Sequence, residues 1–371
     1  MKTAIVYDRV NKWGGAERVL LTLHEIYPEA HLFTSVYSAE KASWAKVFPK
    51  VITSFLQKVP FTRTNHEFLG TFTPLAFETL DLQSYDLVIS VTSEAAKGVL
   101  TKPQAVHICY CLTPTRYLWS EHDFYFKNPP RKLRPIPFFW HLSRPIVGYL
   151  RKWEKVAAHR PDYFVAISNA VKERIKKYYG RESVVIHSPV EFEKFVAGEP
   201  VKKGDYFLYV SRLVPYKKAD LAIEAFNELG KPLVIVGEGS EKRKLRRLAK
   251  KNITFIDRLT DRQLADYYKR AKAFIFPQIE DFGIVALEAQ ASGTPVIAFR
   301  GGGALDTVIE GKTGIFFDRQ EKDSLIKAVR KFEKMTFNTK DLVENAKKFS
   351  KENFQKKFSA FVSDVLAVTI K

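Results

Sequence analysis

The chain is poor in residues that staple or coordinate. Its two cysteines, Cys109 and Cys111, stand one residue apart in an apolar run with no second pair elsewhere. That excludes a disulfide framework and a cysteine-based zinc site, and leaves buried thiols in a reducing compartment as the expectation. No run approaches 18 apolar residues, so no membrane-spanning helix is expected. The short hydrophobic stretch in MKTAIVYDRV is cut by Asp8 and Arg9 and reads as a first strand, not a secretion signal. The GxGxxG fingerprint, a DxD pair, internal repeats and low-complexity tracts are all missing. Acidic residues are in short supply, 41 against 60 Lys and Arg, for a net charge of +19. Such a balance points to an anionic partner: nucleic acid, membrane headgroups or a phosphorylated substrate.

What is present is a folded, two-domain composition. At 371 residues, 46% of them apolar, the chain exceeds one comfortable hydrophobic core. Thr3 to Tyr7 reads as a strand, Asn11 to Gly15 as a loop, and Ala16, Val19, Leu20, Leu23 and Ile26 recur with helical spacing. Further apolar runs at His31–Val36, Asp86–Val91, Ala105–Tyr110, Tyr163–Ile167 and Val184–His187 read as strands. Ser93 is expected to cap a short helix, and Ser168 a longer one. The Phe-, Thr- and Pro-rich stretch from Ser54 to Leu82 has weak periodicity and reads as an insertion. The alternation restarts with strands at Tyr206–Val210, Leu233–Val236, Ile253–Ile256 and Ala273–Phe276, which argues for a second parallel sheet. Phe354, Phe358, Phe361 and Val365 give the C-terminal segment one apolar helix face. The expected division is residues 1–192, a linker at 193–204, a second domain at 205–350, and a terminal helix at 351–371 packing back on the domains.

Arg116 to Arg160 holds ten Arg or Lys against three Asp or Glu, with Tyr117, Trp119, Phe124, Tyr149, Trp153 and other aromatics interleaved. Exposed basic and aromatic side chains together suit an anionic membrane surface. Single-stranded nucleic acid uses similar residues, and plain core packing accounts for about half of the aromatics.

The second half carries the main chemical signal, Glu280-Asp-Phe-Gly-Ile-Val-Ala-Leu-Glu288. It follows the run Ala273–Phe276 and precedes a helix-like segment and another strand at Val296–Phe299. Glu280 therefore falls at the carboxyl end of a strand, where open α/β sheets bind ligands. Gly283 sits at the turn into the helix, where free backbone N–H groups favour phosphate. From spacing alone, an ordinary βαβ unit with a solvent-facing Glu288 is about equally consistent.

These residues carry a family resemblance. Glu280 and Glu288 resemble the E-x7-E motif of the retaining glycosyltransferases of family 4. Gly14-Gly15, Arg212 and Lys217 in SRLVPYKK, Gly237-Glu238-Gly239 and GGGALDTVIEGKTG from Gly301 resemble other segments of that family. CYCLTPTRYLW and IHSPVE resemble the subgroup assigned to O-antigen mannosyl transfer. The resemblance spans nearly the whole chain. A cytoplasmic location is expected, with peripheral attachment to the inner face of the cell membrane kept as an option by the basic, aromatic stretch. The resemblance implies an α/β fold of the GT-B type, two Rossmann-like domains facing each other across a cleft. It further implies a retaining hexosyltransferase with no cofactor and no catalytic metal, moving mannose from GDP-mannose to a glycan or lipid-linked acceptor.

Residue by residue, the resemblance implies Arg212 and Lys217 on the departing diphosphate, where negative charge grows as the glycosidic bond breaks. Glu280 would hold the sugar hydroxyls, and Glu288 the ribose hydroxyls. Gly14, Gly15, Gly237, Phe282, Gly283, Ile284 and Val285 would line the donor site. Leu112, Arg116 and His122 are acceptor-side candidates. Leu112 stands where the subgroup carries a histidine, and leucine neither hydrogen-bonds nor exchanges a proton. His107, alone on a strand, reads as structural. The alternatives kept open are a retaining transferase using a UDP- or ADP-sugar, and a non-catalytic sugar- or nucleic-acid-binding protein. The lack of a recognition module argues against nucleic acid.

Overall fold

Runs of Val, Ile, Leu and Phe without polar alternation form strands covered on both faces. In the structure, a computed structural model, residues 1–59, 70–127, 139–196 and 201–369 are described. The prolines and aromatics between 128 and 138 lie outside them. The chain divides into two units, Met1–Ile186 with Gln355–Lys371, and His187–Phe354.

Among the described residues, the first unit holds seven strands: β1 (Thr3–Tyr7), β2 (His31–Thr34), β3 (Val51–Thr53), β4 (Leu87–Thr92), β5 (Val106–Cys111), β6 (Tyr163–Ala166) and β7 (Val184–Val185). They lie in the order β3-β2-β1-β4-β5-β6-β7, all parallel, with Ile5 beside Ile89 and Ile89 beside Ile108. The β3 strand was not expected, because three residues are too few to show a period. The helix Asn169–Tyr179 begins as its sequence predicts, with the Ser168 side chain accepting from the Val171 N–H at 3.2 Å. Ser93 does not cap a helix. A short 3-10 turn, Ala96–Gly98, forms there, and the backbone N–H groups before it are claimed by a distant carboxylate described below. From Gln355 the C-terminal helix, Lys351–Thr369, belongs to this unit. Phe358 and Phe361 meet Tyr110 and Tyr163 edge-on, each pair 6.2 Å apart.

The second unit holds β8 (Phe207–Val210), β9 (Leu233–Val236), β10 (Ile253–Ile256), β11 (Phe274–Phe276), β12 (Val296–Phe299) and β13 (Gly314–Phe317). Their order is β10-β9-β8-β11-β12-β13, again parallel. Helices Ala219–Leu229 and Lys322–Phe332 bury Phe226 and Val329 in one core cluster. Helices Asp261–Arg270 and Ile284–Ala291 bury Tyr268 and Ala289 in another. The unit boundary precedes residue 192. Phe192 and Phe195, in the expected first domain and linker, are buried in the second unit's core with Tyr268, so apolar burial and not local polarity places the division.

Candidate functional site

In an open parallel sheet, the strands on either side of a reversal in order leave a crevice at their carboxyl ends. In the second unit the order turns at β8 and β11. The loops leaving those two neighbours carry the residues singled out in the sequence: Arg212 and Lys217 after β8, Glu280 after β11.

The central contact is an ion pair between Lys217 Nζ and Glu280 Oε1. Both are largely covered, with 11% and 17% of their side chains exposed, so the pair works in a medium that screens poorly. Lys217 is fixed further by its carbonyl, which accepts from the Tyr209 hydroxyl at 2.9 Å. Arg212 is exposed on the same loop, and its guanidinium donates to the Tyr216 hydroxyl at 2.5 Å. The two cations are therefore unlike: Lys217 is already neutralised by a carboxylate, whereas Arg212 faces solvent.

Gly283, with φ 95°, turns the chain into helix Ile284–Ala291. The first N–H groups of any helix lack partners within it and carry the positive end of its dipole. Phe282 is buried, while Ile284 and Val285 are half-buried. Glu288 is 3% exposed, and the Tyr268 hydroxyl lies 3.4 Å from its Oε2. Two glycines let backbones meet around these loops. A side chain on Gly237, at φ 147°, would overlap the Ser211 carbonyl, and one on Gly303 would overlap the backbone of Phe282. The Gly303 N–H donates to the Glu280 carbonyl at 2.9 Å. Gly237 thus supports the Arg212 loop by packing, a structural task visible here beside the binding role expected of it.

In the first unit the corresponding reversal lies between β1 and β4. There the buried Asp8 carboxylate accepts from the N–H groups of Ser93, Glu94, Ala95 and Ala96 at 2.7–3.1 Å and from the Thr92 hydroxyl at 2.8 Å. Burial and the nearby Glu94 raise its carboxyl above the usual range, against the pull of those N–H groups. Arg9 grips Glu94 with two bonds, 2.8 and 2.5 Å. The chain's own carboxylate thus fills the anion cradle, which binds the loop after β1 to the loop after β4. Gly14 is extended and precedes helix Gly15–Ile26, so neither a left-handed conformation nor a side-chain cap explains it.

Leu112 lies just past β5, half-buried, with its N–H bonded to the Thr92 carbonyl at 2.8 Å. Arg116 pairs with Glu121 at 2.9 Å, and His122 bonds Asp123 through Nδ1 at 3.0 Å. His107 is fully buried, with its Nε2 2.8 Å from the Ser90 hydroxyl. Burial, with Arg160 and Arg181 nearby, lowers its pKa to about 3, so it is a neutral core residue.

Several residues escaped the sequence reading. Lys97 and Glu154, each 1% exposed, pair at 2.6 Å. Glu154 also accepts from Thr115 at 2.6 Å, Trp119 at 2.5 Å and Tyr179 at 2.7 Å. Burial alone would push the Lys97 pKa down, but Glu154 outweighs it and holds it above the ordinary lysine range. This network anchors the loop that carries Arg116, and no spacing rule links positions 97, 115, 154 and 179. His187 stacks on Phe282 at 5.6 Å and lies 3.3 Å from Asp306. Gln278 stands beside Glu280, its only sequence signal being a polar residue just past Pro277, which ends a buried strand. Among the described residues, no group of three or more His, Cys, Asp or Glu is arranged for a metal ion. No described helix is long and apolar enough to cross a membrane.

Comparison with known proteins agrees with this architecture. Residues 13–194 match the family model described as Glycosyltransferase Family 4, and residues 190–349 match Glycosyl transferases group 1. An uncharacterised glycosyltransferase of Methanocaldococcus jannaschii is 28% identical over 218 residues, 57% of this chain and 60% of that protein. A GDP-mannose-dependent phosphatidylinositol monomannoside mannosyltransferase of Mycolicibacterium smegmatis is 31% identical over 198 residues, 45% of this chain and 52% of that one. The matched region thus spans only 52–60% of these relatives' lengths. Among solved structures, Anabaena HepE in complex with UDP superposes with a TM-score of 0.69 at 19% identity, over 98% of this chain and all of that one. Sucrose-phosphate synthase from Thermosynechococcus elongatus gives 0.70 at 17% identity, over 99% and 100%. Two parallel α/β/α units, each matched by its own glycosyltransferase family model, place this chain in the GT-B glycosyltransferases of group 1 and family 4.

Proposed function

We propose that this chain moves a hexosyl group from a nucleoside diphosphate sugar to a glycan or lipid-linked acceptor, with retention of configuration. The observation that carries this is the covered Lys217–Glu280 pair at the β8–β11 crevice, beside the helix start at Gly283. A donor offers each partner something better. Its diphosphate takes Lys217, joined by Arg212 and the N–H groups at Ile284 and Val285, and its sugar hydroxyls take the released Glu280 carboxylate. Glu288 takes the ribose. As the bond from the anomeric carbon to the phosphate oxygen breaks, charge grows on that oxygen, where Lys217 and Arg212 are worth most. The acceptor hydroxyl bonds to the anomeric carbon from the same face and passes its proton to the departing phosphate oxygen. A retaining hydrolase would need two carboxylates about 5 Å apart across the reacting carbon, an arrangement this reading does not require. Leu112, Arg116 and His122 are taken as the acceptor side, with no proton transfer assigned to Leu112.

The guanosine preference implied by the subgroup resemblance is not carried further. Partial-length relatives are GDP-mannose-dependent, whereas HepE structures that match nearly the whole chain contain UDP or UDP-glucose. We take the donor as a nucleoside diphosphate hexose, with uridine compounds tested first. The test is donor hydrolysis and calorimetric binding across UDP-, GDP- and ADP-sugars. One series should bind and hydrolyse slowly without acceptor; no binding by any of them sinks the reading and favours a partner of another kind.

The helix Phe139–Ala157 supports a lipid-linked acceptor. Arg144, Ile146, Tyr149, Lys152, Lys155 and Val156 are exposed on it. Each basic group near an anionic surface contributes about 1 kcal/mol, enough for reversible docking by a handful of them. The protein should sediment with vesicles containing anionic lipid and release as salt rises. Equal sedimentation with neutral vesicles, or none with either, would falsify the docking role.

A further inference from the structure

One group in the loop after β11 has no part in the reaction as described. Gln278 is fully buried, yet its Oε1 has no hydrogen-bond partner among the described residues. Its Nε2 donates to Glu280 Oε1 at 3.3 Å. The amide cannot be turned over without cost, because its oxygen would then face a carboxylate oxygen, acceptor against acceptor. Nor is the loop slack. The Pro277 carbonyl accepts from Gln320 at 2.8 Å on one side, and the Glu280 carbonyl accepts from the Gly303 N–H at 2.9 Å on the other. Gln278 is therefore held with one end of its amide spent on Glu280 and the other end unspent.

A buried acceptor without a partner is costly in the empty protein and is relieved by whatever donates to it. Three features narrow the donor. It must come within reach of the amide that touches Glu280, it must carry an O–H or N–H, and the proposed occupant beside Glu280 is the transferred sugar. We propose that Gln278 is a specificity-determining residue for that sugar. Its Nε2 sets the orientation of the Glu280 carboxylate, and its Oε1 accepts a hydrogen bond from a second hexose hydroxyl next to the one Glu280 holds. A hexose epimeric at that carbon leaves the amide oxygen unpaired and is discriminated against, as polar sites reject analogues lacking the matching hydroxyl. The proposal rests on the reading of the loop as a nucleotide-sugar site.

The experiment separates the two. Calorimetry on the full chain measures binding of the preferred nucleotide-sugar, an epimer of it with the same nucleotide, and the free nucleoside diphosphate, for wild type and Gln278→Met. Methionine keeps the length and removes the polar atoms. The expected result is a loss of about tenfold or more for the preferred nucleotide-sugar, an epimer ratio falling towards one, and free-nucleotide affinity within about threefold of wild type. An unchanged epimer ratio overturns the proposal and leaves Gln278 as packing. A parallel fall in free-nucleotide affinity also overturns it, because the whole loop has then moved. Wild type that binds nucleotide-sugar no better than free nucleotide removes the proposal and spares the reading, whereas no binding of either removes both. Should Gln278→Met fold poorly, Gln278→Asn, which withdraws the amide by one methylene, must show the same collapse of the ratio.

Discussion

Lys217→Ala is expected to lower turnover about 100-fold or more at saturating donor, since it removes a cation whose value grows in the transition state. The structure adds a second reason. Lys217 is 9% exposed and paired with Glu280, so its loss leaves a covered carboxylate uncompensated beside an incoming diphosphate. Repulsion between the two raises the donor's KM as well as lowering kcat. Arg212→Ala should do less, because Arg212 is exposed and water shares its task. Initial rates with a matched acceptor decide it: near-wild-type turnover for Lys217→Ala removes the lysine from the chemistry.

Glu154→Ala is expected to destabilise the first unit by about 3–5 kcal/mol, the usual cost of stranding one member of a buried ion pair. Lys97 would remain fully buried beside Tyr179 with no carboxylate, and the Thr115, Trp119 and Tyr179 donors would lose their shared acceptor. The double variant Lys97→Met with Glu154→Ala should recover part of the loss, because no buried charge is then stranded. Denaturant unfolding of the two variants and wild type makes the comparison. A cost below about 1 kcal/mol for the single variant would mean that water reaches the pair, and the argument from burial fails.

Much of this molecule was legible residue by residue. Two rounds of apolar runs alternating with helical periods announced two parallel sheets, because a strand covered on both faces has no polar positions to hide. Ser168 was readable as a cap, since capping is decided within one turn. Ser93 was not, because its N–H and those of the next three residues are taken by Asp8, some 85 positions away. The Phe192–Phe195 segment was misplaced for the same reason: locally it is polar and weakly patterned, yet its two aromatics are buried with Tyr268.

By itself the sequence determined the strands, the loops that end them, and the residues those loops offer, because hydrophobic period and turn chemistry act over a few neighbouring positions. It also carried the motif set that marks a glycosyltransferase. Only the tertiary structure decided which of those residues meet. Strand order places the loops after β8 and β11 side by side and joins Lys217 to Glu280 across 63 positions. It fills the first unit's cradle with Asp8, and it leaves one oxygen of Gln278 without a partner among the described residues. These are consequences of burial and of charges seeking partners in a poorly screening interior, and neither is written in the local order of residues.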